Sequence, residues 1–153
     1  RKLDEGLYDG IVLAAAGLKR LGLGERIRAV FETRQMLPAA GQGALGIEVR
    51  SGRDDVVQAL KHLLDTPTWL VVSAERAVSR VMGGSCSMPL AAHATFAGDV
   101  LELRAAWGDP EGVLPLAQVA DKASVTDTAS AMRLGEAVAR QLQAAVQAAH
   151  AKP

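Results

Sequence analysis

This chain of 153 residues holds a single cysteine, Cys86. An internal disulfide is excluded, and a reduced, cytoplasmic setting is expected. Aromatic side chains are scarce at 3% of residues, so Leu, Val and Ala must fill whatever core forms. Net charge is missing as well. Lys plus Arg and Asp plus Glu stand at 17 each, which leaves no electrostatic case for a nucleic acid or a membrane surface as partner. No apolar run approaches the roughly 20 residues that span a bilayer. "IVLAAAG" is among the longest. No signal peptide is visible, and the chain opens on Arg1 rather than methionine. "RKLDEGLYDG" reads as the interior of a domain, so a fragment or cleavage product is expected.

What is present suffices for a folded protein. Hydrophobic residues make up 49% and charged residues 22%, ordinary values for one domain or two small ones. Tyr8 to Ala14, "YDGIVLA", has the length of a buried strand. Leu18 to Leu21 lies between Gly17 and Gly22, so any helix there is short. Residues 26–32 are ambiguous, "QMLPAAGQG" is a loop, and Ala44 to Arg50 reads as a strand. Asp54 to Leu64 predicts a helix, with Val56, Val57, Leu60, Leu63 and Leu64 on one face. A second helix starts at Thr66-Pro67, with Thr66 as candidate N-cap, and runs to about Met82, where Gly83-Gly84 stops it. Residues 90–97 and 100–107 read as strands joined across Gly98-Asp99. Leu114 to Lys122 gives a third strand, and a last helix starts near Thr126. The fold class is α+β: a small C-terminal domain with a three-stranded antiparallel sheet covered by helices, preceded by incomplete α/β segments.

Several stretches invite a chemical reading. Gly41-Gln42-Gly43-Ala44-Leu45-Gly46 matches G-x-G-x-x-G in letters. A dinucleotide site needs a strand before those glycines and a helix after them. A Pro/Gly loop and a strand-like run stand there instead, so a close approach of backbones or a ligand contact fits better. His62, His93 and His150 lie far apart, none with a second ligand at metal spacing, so no metal is expected. Ser85 and Ser87 lack the setting of a nucleophile elbow. Cys86 remains, in "GGSCSMP". A buried cysteine usually behaves as a small apolar residue. Gly83, Gly84, Ser85 and Ser87 give this one no apolar company. The loop follows a helix C-terminus, whose negative end does not favour a thiolate. On position alone, attachment or reactivity stands level with a plain structural role.

The segments "KLDEGLYDGIVLAAAGLKRLGL", "LPAAGQGALGIEVR" and "AERAVSRVMGGSCSMPLAAHA", in that order and followed by a helical tail, resemble porphobilinogen deaminase, also called hydroxymethylbilane synthase. The resemblance covers essentially the whole chain. It implies a three-domain transferase of tetrapyrrole (heme) biosynthesis that joins four porphobilinogen molecules head to tail, with loss of ammonia, into hydroxymethylbilane. It maps the family's cofactor-bearing cysteine onto Cys86, with a dipyrromethane primer held through a thioether and Gly84 and Ser85 as cofactor-binding neighbours. A thioether anchor needs reach and room rather than a depressed thiol pKa, and flanking glycines supply both. By the same resemblance, residues 1–36 close the second domain, 37–66 cross back to the first, and 67–153 form the third, cofactor-carrying domain. Gly41, Gln42 and Gly43, with Ala15 and Ala16 in the "LAAAG" turn, are then expected to line the substrate cleft.

The resemblance places the catalytic aspartate, and most of the basic residues that pair with substrate carboxylates, in an N-terminal half that this sequence does not contain. No catalytic residue is therefore expected in this chain. Alone it is expected to be inactive, its partners being porphobilinogen, the growing polypyrrole and that missing half, within a monomeric enzyme. Two other readings remain open: a non-catalytic α+β binding module, and a thiol enzyme using Cys86 as nucleophile. Fold alone does not separate them. Covalent pyrrole on the protein does, and so does reactivity of the thiol towards iodoacetamide.

Overall fold

The computed structural model describes residues 1–85 and 87–151. Cys86 lies outside the described residues. Contacts divide the chain into two compact units, Arg1–Met36 and the part from Leu37 onward.

The first unit contains one short helix, α1 (Ala15–Arg20), and a single 3-10 turn at Gly24–Arg26. Helix α1 stops because Gly22 takes a φ of 73°, open to glycine at little cost. That bend lets Gly22 N–H reach the Lys19 carbonyl at 3.1 Å and Leu23 N–H reach that of Leu18 at 2.8 Å. The strand expected over Tyr8 to Ala14 does not form. Leu7, Tyr8, Ile11, Val12 and Leu13 all stand exposed. A strand is stable only when its N–H and C=O groups find a neighbouring strand, and no described residue pairs with this run. The same reason removes the expected strand over Ala44 to Arg50, where Leu45 is 94% exposed. The alternation of strands and helices expected before residue 66 is thus reduced to its helices.

From Leu37 onward the elements are α2 (Asp54–Leu60), continued by a 3-10 turn at Lys61–Leu63, then α3 (Thr66–Val81), β1 (Leu90–Ala97), β2 (Val100–Trp107), β3 (Ala117–Ser124) and α4 (Thr128–His150). The sheet is antiparallel with order β1-β2-β3. Its first hairpin turns across Gly98-Asp99, pairing Ala97 with Val100. Gly98 has a φ of 63° while Asp99, like every non-glycine among the described residues, does not have a positive φ, the pattern of a type II′ turn. Leu90 faces Trp107 and Ala94 faces Leu103 along the register. The third strand begins at Ala117 rather than Leu114. The Asp109 carboxylate accepts from the N–H groups of Glu111, Val113 and Leu114. These bonds hold residues 109–114 in a loop and hold the Asp109 carboxyl below the usual carboxylate range.

Both long helices are capped by aspartate. Asp65, not Thr66, caps α3, accepting from Thr68 N–H at 2.9 Å, with Pro67 in the first turn. Asp127 caps α4 in a reciprocal box with Ser130. These hydrogen bonds hold both carboxyls below their ordinary range. Their contribution to stability is therefore present above the ordinary carboxylate pKa and is lost as pH falls through the depressed value.

One face of the sheet carries the core. Leu101, Leu103, Val78, Val138 and Leu142 are the largest fully buried side chains, and alanines at 74, 77, 92, 94, 105, 131 and 139 fill the space between. With so few aromatics the layers must approach closely, and the helices do so at Gly135 of α4. A Cβ there would overlap the Ala74 carbonyl oxygen and stand 2.6 Å from Ala77 Cβ. At the helix starts, Trp69 Nε1 donates to Thr128 Oγ1 at 2.9 Å. Near the other end, Gln143 Nε2 donates to the Val81 carbonyl at 3.3 Å. Gly135→Ala is expected to force the helices apart and destabilise this unit by about 1–3 kcal/mol, in spite of alanine's better helix propensity. Thermal unfolding measures it; an unchanged or raised Tm would show that the helices have room to spare.

Candidate functional site

Helix α3 carries both glycine segments that the sequence singles out. At its C-terminus the chain turns through Gly83, whose φ is 74°. Gly84 N–H reaches the Ser79 carbonyl at 2.7 Å and Gly83 N–H that of Arg80 at 3.3 Å. These are the paired bonds of a Schellman stop. Gly84 is sterically required. A Cβ on it would overlap Ser79 Oγ and stand 2.8 Å from the Ser79 carbonyl oxygen. Beyond it, Ser85 Oγ and Ser87 Oγ lie 2.9 Å apart, and Met88 N–H donates to the Ser85 carbonyl at 3.1 Å. Pro89 meets Gly108, whose N–H donates to the Pro89 carbonyl at 2.9 Å. The loop is thus fixed at both ends, while Gly83, Gly84, Ser85 and Ser87 are all exposed.

The other segment, residues 37–44, lies along the flank of α3 and the free edge of β1. Three contacts hold it. The Pro38 carbonyl accepts from Ala92 N–H at 3.1 Å. Ala40 packs on the core. Gly41 N–H donates to Glu75 Oε2 at 2.7 Å. Gly41 and Gly43 have φ values of 77° and 86°, so the segment needs glycine at both positions. The second carboxylate oxygen, Glu75 Oε1, accepts from Ala94 N–H of β1 at 2.8 Å. His93 Nδ1 stands 3.6 Å from the same oxygen, an ion pair only when the ring is protonated. Glu75 is 3% exposed. Beside it opens a cleft of about 290 Å³ whose walls include Gln42, Gly43, Val71, Val72, Glu75 and His93.

The structure therefore sets Gly41, Gln42 and Gly43 beside α3 and places Gly84 and Ser85 just beyond its end. From Glu75 to Val81 is about 9 Å along the helix axis, at ~1.5 Å per residue. Ala15 and Ala16 belong to the other unit. They form the first turn of α1 rather than a loop, because that backbone closes the bonds to Ala14 that start the helix. Glu75 and the partnership of His93 with it were not apparent from the sequence. One signal was available: Glu75 sits four residues after Val71 and three before Val78, at core spacing on α3. No group of three or more metal-ligating side chains occurs among the described residues, and no helix there is long and apolar enough to cross a membrane.

These features define an α+β domain that presents a fixed, solvent-facing glycine–serine loop at a helix end, beside a second glycine segment clamped to the same helix. Comparison with known proteins gives this class a family. Residues 1–58 match the family model described as "Porphobilinogen deaminase, dipyromethane cofactor binding domain". Residues 69–144, which include Cys86, match "Porphobilinogen deaminase, C-terminal domain". The chain is 68% identical over 146 residues to the porphobilinogen deaminase of Albidiferax ferrireducens, covering 95% of this chain and 46% of that protein. It is 54% identical over 144 residues to that of Paraburkholderia phymatum (94% and 43% covered) and 54% over 142 residues to that of Burkholderia thailandensis (93% and 43%). The chain belongs to the porphobilinogen deaminase family. It spans a little under half the length of these relatives.

Gly84→Ala tests the loop geometry. The added methyl is expected to break the bond from the amide at position 84 to Ser79 and to unwind the last turn of α3. Hydrogen exchange at that amide should speed up by at least tenfold. Unchanged protection would mean that the Ser79 contact does not hold the loop.

Proposed function

We propose that this chain is the cofactor-bearing part of a transferase of tetrapyrrole biosynthesis, which polymerises four porphobilinogen molecules into hydroxymethylbilane with release of ammonia. The observation that carries the reading is the order of the two family matches, with the "GGSC" loop inside the second. Cys86 is the attachment point of a dipyrromethane group, joined through a thioether. That group supplies a free pyrrole end on which the next ring is accepted.

The residues around position 86 suit such a load. Exposed Gly83, Gly84, Ser85 and Ser87 leave space on the solvent side, and no apolar wall closes over these four. The Schellman bonds at Ser79 and the Gly108 contact at Pro89 fix where the loop begins and ends. A group tied to it is then held at one origin while its far end stays free. Residues 41–43 line the cleft along which the growing polypyrrole lies. Helix α3 joins the two segments: residues 41–43 dock on its flank through Glu75, and Gly83-Gly84 leave its end.

The catalytic acid–base group and the basic residues that pair with acetate and propionate come from the sequence that the relatives have and this chain does not match. The complete enzyme acts as a cytoplasmic monomer, and this chain alone is inactive. The test is turnover. The complete protein should release ammonia from porphobilinogen and yield hydroxymethylbilane. Cys86→Ser should reduce this to background, and the isolated chain should show none. Full activity in Cys86→Ser would defeat the proposal, and so would the absence of any reaction with porphobilinogen.

A further inference from the structure

We infer that Glu75 is a positioning residue for the cleft: its buried carboxylate clamps the 41–43 segment to helix α3 and to strand β1. The inference rests on the reading that residues 41–43 line that cleft. A carboxylate at 3% exposure is unfavourable unless its oxygens are hydrogen-bonded. Here each oxygen takes one backbone donor, and the two donors come from different segments: Gly41 at 2.7 Å and Ala94 at 2.8 Å. Both are short, as charge-assisted bonds are.

Neither donor needs a charge for its own sake. Gly41 is only partly buried. A neutral acceptor would satisfy the edge N–H of Ala94. What a carboxylate alone provides is two acceptor oxygens with no donor between them, able to hold two N–H groups at once. The positive φ of Gly41 then has a purpose, because it belongs to the turn that carries the Gly41 N–H to Glu75. The clamp fixes the cleft wall to the helix whose end carries the loop around position 86. A shift of about 1 Å between a bound chain and its wall is enough to weaken binding severely.

The experiment uses the complete enzyme. Glu75→Gln keeps the size of the side chain but turns an NH2 group towards one of the two N–H donors, so one bond must be lost. Amide exchange at Gly41 or Ala94 is expected to accelerate. KM for porphobilinogen is expected to rise roughly tenfold, the loss of one charged hydrogen bond, with kcat within about twofold. The covalent pyrrole mass should be retained. Glu75→Asp, which keeps the charge on a shorter arm, is expected to fall between and serves if the glutamine variant does not fold. Asp127→Ala, which removes the cap of α4 and touches neither Gly41 nor Ala94, lowers stability without altering the clamp and should leave KM unchanged.

The inference is overturned if exchange at both amides is unaltered, or if KM moves as much in Asp127→Ala as in Glu75→Gln. Should the wild-type enzyme lack both pyrrole and turnover, the functional reading fails instead. The clamp is then still decided by the exchange of Gly41 and Ala94.

Discussion

The contact on which the rest of this unit depends is the close approach of α3 and α4 at Gly135. A chain with so few aromatic side chains cannot hold its layers apart with large groups. It fills the core with Leu, Val and many alanines, and dispersion then rewards only short separations. The missing side chain at Gly135 lets the two backbones meet at Ala74 and Ala77. That fixes α3 as a rigid element beside β1. The two glycine segments depend on that placement, one docking on the helix flank and the other leaving its end.

Polar groups then refine what packing has set. Around α3 the backbone donors and acceptors are matched one by one: Asp65 at its start, Ser79 and Arg80 carbonyls at the Schellman stop, and the Val81 carbonyl taken by Gln143. Glu75 is the exception in kind, a carboxylate buried in the fold where that of Asp65 is exposed. Its two bonds join three parts of the chain that are distant in sequence: residue 41, residue 75 and residue 94. A bond network of that reach restricts relative motion of helix, strand and loop more than any local turn can. Under the proposed function, with a product that grows from an anchor in the loop after α3, a helix held firmly against residues 41–43 serves the chemistry directly.

The sequence was most legible where local chemistry decides the structure. The turn at Gly98-Asp99 and both strands of its hairpin follow from a two-residue loop with glycine first and apolar alternation on either side. The stop of α3 follows from two consecutive glycines. Legibility fell where a side chain reaches several residues along the chain. Asp109 gathers three N–H groups and delays β3 to Ala117, and the Asp127–Ser130 box moves the start of α4 to Thr128. It failed where structure needs a distant partner. "YDGIVLA" and "ALGIEVR" have strand composition, but without neighbours to pair with they form no strand and stay largely exposed. The glycines at 41 and 43 were visible as a loop under constraint. The carboxylate that constrains them was not, because a lone glutamate among core positions looks like any helix glutamate until the fold buries it.

The claim on which the functional account turns is that the loop after α3 carries a covalent group at Cys86. The measurement that reaches it most directly is the denatured mass of the protein, taken from an active preparation and followed by peptide mapping. The account predicts an excess over the sequence mass equal to two linked pyrrole units, located on the peptide that contains Cys86. A bare-sequence mass in a preparation that turns over porphobilinogen would contradict it.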